Sequence, residues 1–263
     1  MPLEITFLGT GGAFTDFREN YHNNAIVRTA DGLLLLDCGG TAVQSLRELG
    51  VHAEDVAGVV VTHMHGDHIG GIEQLIWERY YTSRAGGPGW KRTPILTTAP
   101  IHAMLRRSLR DCLDDFTASS GDTRTGGYDE LVEPRLLEGP TAIGGISMEL
   151  VRTPHVVGPG VDKPAFGVRV RAPDALGFYY TSDTTFRADI GERFPDAEII
   201  FHDCTFHQHY PSTVHTHYSE LVTLPAAVKA RIVLMHHTRV PAGVDVVRDG
   251  FRGAARRHEM FAL

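Results

Sequence analysis

The chain has 263 residues, 42% hydrophobic and 22% charged, with a formal net charge of -7 and 15 histidines. That length suits one α/β domain or two half-domains around a common core, and the composition is ordinary for a globular protein. The acidic balance excludes a nucleic-acid coat, whose signature is a basic surface, though not a small phosphate substrate, and no apolar run approaches the roughly 18 residues of a membrane span.

In chain order, apolar runs punctuated by glycine predict strands that mostly precede helices. Ile5 to Leu8 and Ala25 to Arg28 read as strands, the first followed by the turn Gly9-Thr10-Gly11-Gly12. Leu33 to Leu36 is a third, ending in Asp37-Cys38-Gly39-Gly40. Thr41 then caps a helix with apolar positions Val43, Leu46 and Leu49, stopped by Gly50. Val59 to Val61 reads as a buried strand, and Ile72, Leu75, Ile76 and Arg79 are spaced like a helix. Glycine and proline rule out regular structure from Tyr80 to Pro94, where Trp90 and Arg92 suggest a loop that closes over a substrate or reaches a partner subunit. Ile95 to Thr97 is a strand before a helix from about Pro100 to Leu113, and Ser119 to Gly127 reads as a surface linker. The second half repeats the theme, with strands near Met148 to Val151, Phe166 to Val170, Phe178 to Thr181, Ile199 to Phe201 and Ile232 to Leu234.

Cys38, Cys112 and Cys204 are odd in number, widely spaced and outside any C-x-x-C pair, so they read as free thiols of a reducing cytosol. Met1-Pro2-Leu3-Glu4 shows neither a basic segment nor an apolar h-region, which adds to the expectation of a cytoplasmic protein.

The densest chemical signal is Thr62-His63-Met64-His65-Gly66-Asp67-His68-Ile69-Gly70-Gly71. It sets three imidazoles and a carboxylate in six consecutive positions, all good ligands for a borderline-soft divalent ion. A tight turn between a strand and a helix lets neighbouring side chains point in different directions. His63 and His65 can then serve one metal while Asp67 and His68 face a second.

This run resembles the T-H-x-H-x-D-H motif of the metallo-β-lactamase superfamily, matched in full by Thr62, His63, His65, Asp67 and His68. The resemblance implies an αββα four-layer sandwich, here one metallo-hydrolase domain over residues 1–263 with halves of about 1–130 and 131–263. It also implies three further ligands. Candidates are His155 after the run Ile146 to Thr153, Asp183 in Tyr180-Thr181-Ser182-Asp183-Thr184, and His236 after Ile232-Val233-Leu234-Met235. His237 rivals His236, which is preferred because Leu234-Met235-His236-His237-Thr238 is similar to the L-T-H run of the ribonuclease Z branch. The implied set gives His63, His65 and His155 to one metal and Asp67, His68 and His236 to the other, with Asp183 shared and Asp203 outside it. Asp67 also takes a catalytic role. The cofactors expected are two divalent ions, zinc first and manganese as an alternative.

Cleaving a phosphodiester requires protonating a leaving alkoxide, and a histidine near neutrality can do it. The ribonuclease Z branch carries such a histidine just before its last helix, and His215-Thr216 sits there with His217 close by, so both are candidate proton donors. Phe7-Leu8-Gly9-Thr10-Gly11-Gly12 also looks like that branch. Ribonuclease Z itself has H-x-D-H-x-x-G-L-P-G and a long basic arm, whereas this chain has His68-Ile69-Gly70-Gly71-Ile72 and no such arm. Glu19-Asn20-Tyr21-His22-Asn23-Asn24, Phe201-His202-Asp203-Cys204 and Val214-His215-Thr216-His217-Tyr218-Ser219-Glu220-Leu221 are closer to the cyclic-nucleotide phosphodiesterases of the branch, the anti-Pycsar phosphodiesterases included. That likeness implies a dinuclear phosphodiesterase acting on a cyclic nucleotide, and a homodimer. A small phosphodiester or nucleotide is then the expected partner, with no membrane and no stable nucleic-acid complex. The alternatives are a transfer-RNA 3′-endonuclease or other RNA hydrolase, and a metal-stabilised binding or scaffold protein.

Overall fold

The computed structural model describes residues 2–82, 91–118, 121–173, 176–207 and 214–263. Two seven-stranded sheets dominate it. In spatial order the first contains Met260–Ala262, Glu4–Gly9, Asn24–Thr29, Gly32–Leu36, Val56–Val60, Thr93–Thr97 and Val132–Leu136. The second runs Gly253–Ala254, Ile232–Met235, Ala197–Asp203, Gly177–Tyr180, Phe166–Arg171, Ile146–Arg152 and Thr141–Ile143. Each sheet combines four antiparallel strands with three that continue it in parallel. The switch falls at Gly32–Leu36 beside Val56–Val60 in one sheet, and at Gly177–Tyr180 beside Ala197–Asp203 in the other.

Side-chain alternation explains the layering, because successive residues of a strand point to opposite faces. Leu34, Leu36, Val60, Phe178, Tyr180 and Phe201 meet between the sheets in one apolar core. Their neighbours Leu35, Val59 and Ile95 turn outward, to be covered by Leu46, Leu75, Ile76 and Leu105 of the helices Ala42–Glu48, Ile72–Thr82 and Ala99–Leu113. On the other flank Tyr179, Ile200 and Leu234 pack against Ile190 and Leu221 of short helices and against Leu224 in a turn. Helices, sheet, sheet and helices make the four-layer αββα sandwich expected from the sequence.

Val132–Leu136 is an edge strand that the sequence hides. Glu133, Pro134 and Arg135 break its hydrophobic pattern, and an edge position tolerates a proline that the interior of a sheet would not. Thr41 does occupy the N-cap of Ala42–Glu48 but makes no capping bond, because its hydroxyl accepts the His22 N–H instead. In the expected linker, Thr123–Arg124 pairs with Phe116–Thr117, and residues 119 and 120 lie outside the described residues. Of the expected loop from Tyr80 to Pro94, residues 83–90, Trp90 among them, also lie outside them. Arg92 donates to the main-chain carbonyl of Asp129. No helix among the described residues is long and apolar enough to cross a membrane.

Candidate metal centre

Loops at strand ends carry the candidate ligands to one place. His63 and His65 follow Val56–Val60, and Asp67 and His68 lie on the single helical turn Gly66–Ile69. His155 follows Ile146–Arg152, Asp183 follows Gly177–Tyr180 and His236 follows Ile232–Met235. Close backbone approach fixes the first loop. A Cβ on Gly39 would stand 1.9 Å from the Asp67 carbonyl oxygen, so only glycine lets these segments pass. Asn24 then accepts the Gly39 N–H and donates to that carbonyl.

The seven side chains form two groups that share Asp183: His63, His65 and His155 on one side, Asp67, His68 and His236 on the other. The Asp183 oxygens divide the same way. Oδ2 lies 3.5 Å from His63 Nε2 and 3.6 Å from His155 Nε2, while Oδ1 lies 3.2 Å from His68 Nε2 and 3.3 Å from His236 Nε2. His155 Nε2 is 3.1 Å from His65 Nδ1, and Asp67 Oδ2 is 3.4 Å from His68 Nε2 and 3.3 Å from His236 Nε2. Ligands about 2.0–2.2 Å from a tetrahedral ion stand roughly 3.4 Å from one another, so the spacing fits coordination. His63 Nε2, His68 Nε2 and Asp183 Oδ1 are buried without a hydrogen-bond partner, as metal-facing atoms would be. Nitrogen and carboxylate donors at this spacing suit a divalent cation.

Neighbouring groups aim the rings. Asp37 Oδ2 accepts from His68 Nδ1 at 2.8 Å and from the Thr62 hydroxyl at 2.7 Å, and its Oδ1 accepts the Thr62 N–H at 2.9 Å. His63 Nδ1 lies 3.1 Å from the same hydroxyl, and His155 Nδ1 donates to the Val214 carbonyl at 2.6 Å. These bonds fix the tautomers that leave Nε2 free for an ion. Burial pushes His155 down to about 4, so its ring is neutral near pH 7. Burial alone would raise Asp183, but His236, His68 and His63 outweigh it and hold the carboxyl well below the usual range.

Three residues here sit in the left-handed region without being glycine: Asp37 at φ 59°, Ser182 at 51° and His236 at 61°. Such backbone gathers at functional sites. At His236 the turn helps separate adjacent rings. His236 faces the carboxylates, whereas buried His237 donates from Nε2 to the Leu234 carbonyl at 3.3 Å and belongs to neither group.

The two candidate proton donors differ in place. His215 Nδ1 is 2.9 Å from Asp203 Oδ2, and its ring stacks on His236 with centroids 4.8 Å apart. His217 caps the turn Tyr218–Leu221, its Nδ1 accepting the Ser219 N–H, and it joins no cluster. Asp203, expected outside the ligand set, completes a third cluster with Asp183, His215 and His236, its Oδ1 3.4 Å from His236 Nδ1. Burial would raise Asp203, but His215 and His236 outweigh it and bring it to about 2. Burial opposes charge on His215, but Asp203 outweighs it and raises that imidazole above its ordinary value. Asp37 was missed altogether. Its only sequence signal is a carboxylate directly after an apolar strand.

Sandwich and candidate ligand set together define a metal-dependent hydrolase of the metallo-β-lactamase fold. Residues 3–261 match the family model described as "Anti-Pycsar protein Apyc1", and the chain belongs to that family. A relative of that name from Paenibacillus sp. (strain J14) is 31% identical, with the whole of both chains covered. The metallo-β-lactamase fold protein YhfI of Bacillus subtilis superposes with a TM-score of 0.75 at 18% identity over both whole chains. The short form of human tRNase Z reaches 0.67 at 17% identity over 98% of each chain. The fold is therefore shared with an RNA enzyme and does not by itself select a substrate.

Proposed function

We propose that this chain opens the phosphodiester of a cyclic nucleotide at two divalent ions, with His215 as proton donor. The observation that supports it most is the division of Asp183, one oxygen toward each histidine group. His63, His65 and His155 would hold one ion, Asp67, His68 and His236 the other, and Asp183 both. When bound, such ions supply Lewis acidity to the phosphoryl oxygens and make a water more acidic. Zinc suits the imidazole-rich set, with manganese as the alternative.

The chain's own residues do the rest. Asp203 holds His215 through Nδ1 and favours its protonated form, the form that can deliver a proton to the leaving oxygen. Asp203 also lies against His236, so donor and ligand share one anchor. His215, unlike His217, stands in a cluster with Asp183 and Asp203, which favours it for the role. Family membership points toward a nucleotide substrate, and the net charge of -7 with no basic arm disfavours a transfer-RNA precursor. We place the protein in the cytoplasm as a homodimer. Three unpaired cysteines support the first, and the resemblance to cyclic-nucleotide phosphodiesterases, which implies a dimer, supports the second.

The test is the purified protein with zinc or manganese against a panel of cyclic nucleotides, bis-p-nitrophenyl phosphate and a precursor transfer RNA. Turnover of at least one cyclic nucleotide far above that of the precursor is expected. Processing of the precursor with inert cyclic nucleotides would transfer the chain to the RNA-cleaving reading.

A further inference from the structure

Beside the metal centre a phenyl ring stands entirely in water. Phe14 is 103% exposed, the most exposed large hydrophobic side chain among the described residues. It occupies the tip of the β-turn closed by Thr15 N–H donating to the Gly12 carbonyl at 3.1 Å. Both feet of that turn are tied down. Gly11 donates to the Tyr21 carbonyl and accepts the Asn23 N–H, each at 2.8 Å. The Thr15 hydroxyl meets that of Thr238 at 2.8 Å, two residues beyond His236. The turn also rides directly on the centre: a Cβ on Gly12 would stand 3.0 Å from His236 Cε1. Gly11 must stay small as well, since a Cβ there would fall 2.2 Å from Thr15 Oγ1.

An anchored turn does not need an exposed phenyl for its own stability, and Phe14 packs on nothing among the described residues. Phe17, in the same loop, spends its ring differently, edge-on against the buried His22 at 4.9 Å. The clusters around Asp183 offer carboxylate oxygen and imidazole nitrogen, which would hold cations for a phosphate and say nothing about a base. A nucleotide held by its phosphorus projects a flat heterocycle a few ångströms to one side, and a phenyl face is the surface such a ring stacks on.

We propose that Phe14 is a specificity-determining residue, the platform on which the heterocyclic base of the substrate stacks while the metal centre holds its phosphate; this rests on the cyclic-nucleotide function proposed above. Phe14 takes no part in proton transfer or coordination. Its contribution is to the binding of base-bearing substrates over base-less ones, and a larger, purine-type ring gains more from it than a smaller one.

The experiment compares wild type, Phe14→Ala and Phe14→Trp on adenosine 3′,5′-cyclic phosphate and on ribose 3′,5′-cyclic phosphate, which lacks the base. The ratio of kcat/KM between the two substrates is expected to fall about 5- to 100-fold in Phe14→Ala, through KM, and to be restored in Phe14→Trp. Independently of turnover, a slowly hydrolysed phosphorothioate analogue should quench the added indole fluorescence of Phe14→Trp relative to wild type. An unchanged substrate ratio together with no quenching overturns the proposal. So does a change of Phe14→Ala from dimer to monomer in sedimentation, which makes the ring a subunit contact. If wild type opens no cyclic nucleotide at all, the substrate reading fails, and quenching by adenosine monophosphate alone then decides whether Phe14 stacks a base.

Discussion

The two histidine groups on either side of Asp183 are built to different standards. The group of His63, His65 and His155 has no carboxylate of its own, and His65 is half-exposed. Its orienting bonds go to neutral acceptors, the Thr62 hydroxyl and the Val214 carbonyl. The group of Asp67, His68 and His236 is buried throughout and brings a second carboxylate. Its rings face charged partners, Asp37 at 2.8 Å and Asp203 at 3.4 Å. Hydrogen bonds to ionised acceptors are roughly twice as strong as neutral ones. Asp183 therefore stands between a softer, more open, weakly braced group and a harder, closed, strongly braced one, with the proposed proton donor beside the braced one. Three imidazoles favour zinc, while a carboxylate-rich set tolerates manganese. The asymmetry predicts that the two ions differ in affinity and in exchangeability.

The largest change should come from removing what the two sides share. Asp183→Ala leaves both groups one ligand short and removes the charge that faces four imidazoles. Elemental analysis should then fall from two ions per chain to well under one, with loss of turnover. Retention of both ions in that variant would refute the bridge. Next in size is the proton donor on the braced side. His215→Ala should slow a substrate with a poor, alkoxide leaving group by roughly 10²–10⁴-fold, the usual worth of general acid catalysis. Metal content should hold. A p-nitrophenyl ester, whose leaving group needs little protonation, should lose far less. Equal losses on both substrates would remove the role from His215, and the same leaving-group pattern in His217→Ala would move it there.

Legibility in the sequence followed how local each signal was. The first loop could be read directly, because four ligand-type residues within six positions have no ordinary structural explanation. The long strands and helices were legible too, from two-residue and 3.6-residue periods. His155, Asp183 and His236 are single polar residues after strands, and only the superfamily pattern drew attention to them. What stayed hidden depends on contacts across the chain or on backbone angle. Asp37 reaches His68 and Thr62 from 31 and 25 positions away, and Asp203 reaches His236 from the neighbouring parallel strand. Periodicity cannot report either. The positive φ of His236, which helps set it apart from His237, is likewise a property of the turn and not of composition. The edge strands Val132–Leu136 and Met260–Ala262 are too charged or too short to announce themselves.

The bracing itself can be broken on one side. Asp37→Asn keeps the shape of the carboxylate but removes its charge, and its new amide donor faces either the Thr62 N–H or both His68 Nδ1 and the Thr62 hydroxyl. Losing such an outer partner typically costs 10–100-fold in metal affinity. That loss should fall on one ion only, measured as a single weakened step in a competitive chelator titration. Two equally weakened steps would mean that the braced and unbraced sides are not independent.

The smallest effect should come from an orienting side chain that touches both sides. The Thr62 hydroxyl donates to Asp37 on the braced side and lies 3.1 Å from His63 Nδ1 on the open side, with Ser182 Oγ a further 2.8 Å contact. Thr62→Val keeps the volume and removes the hydroxyl. On the braced side Asp37 retains both the His68 Nδ1 bond and the Thr62 N–H, which is main chain and survives the substitution. On the open side His63 Nδ1 loses the acceptor that sets its tautomer. A neutral hydrogen bond is worth about 0.5–1.5 kcal/mol net, so affinity for the open-side ion should fall about 2- to 10-fold. The braced-side ion should change less, and Thr62→Ser should restore the wild-type titration. A larger loss on the braced side would invert the comparison, making Thr62 chiefly the support of Asp37.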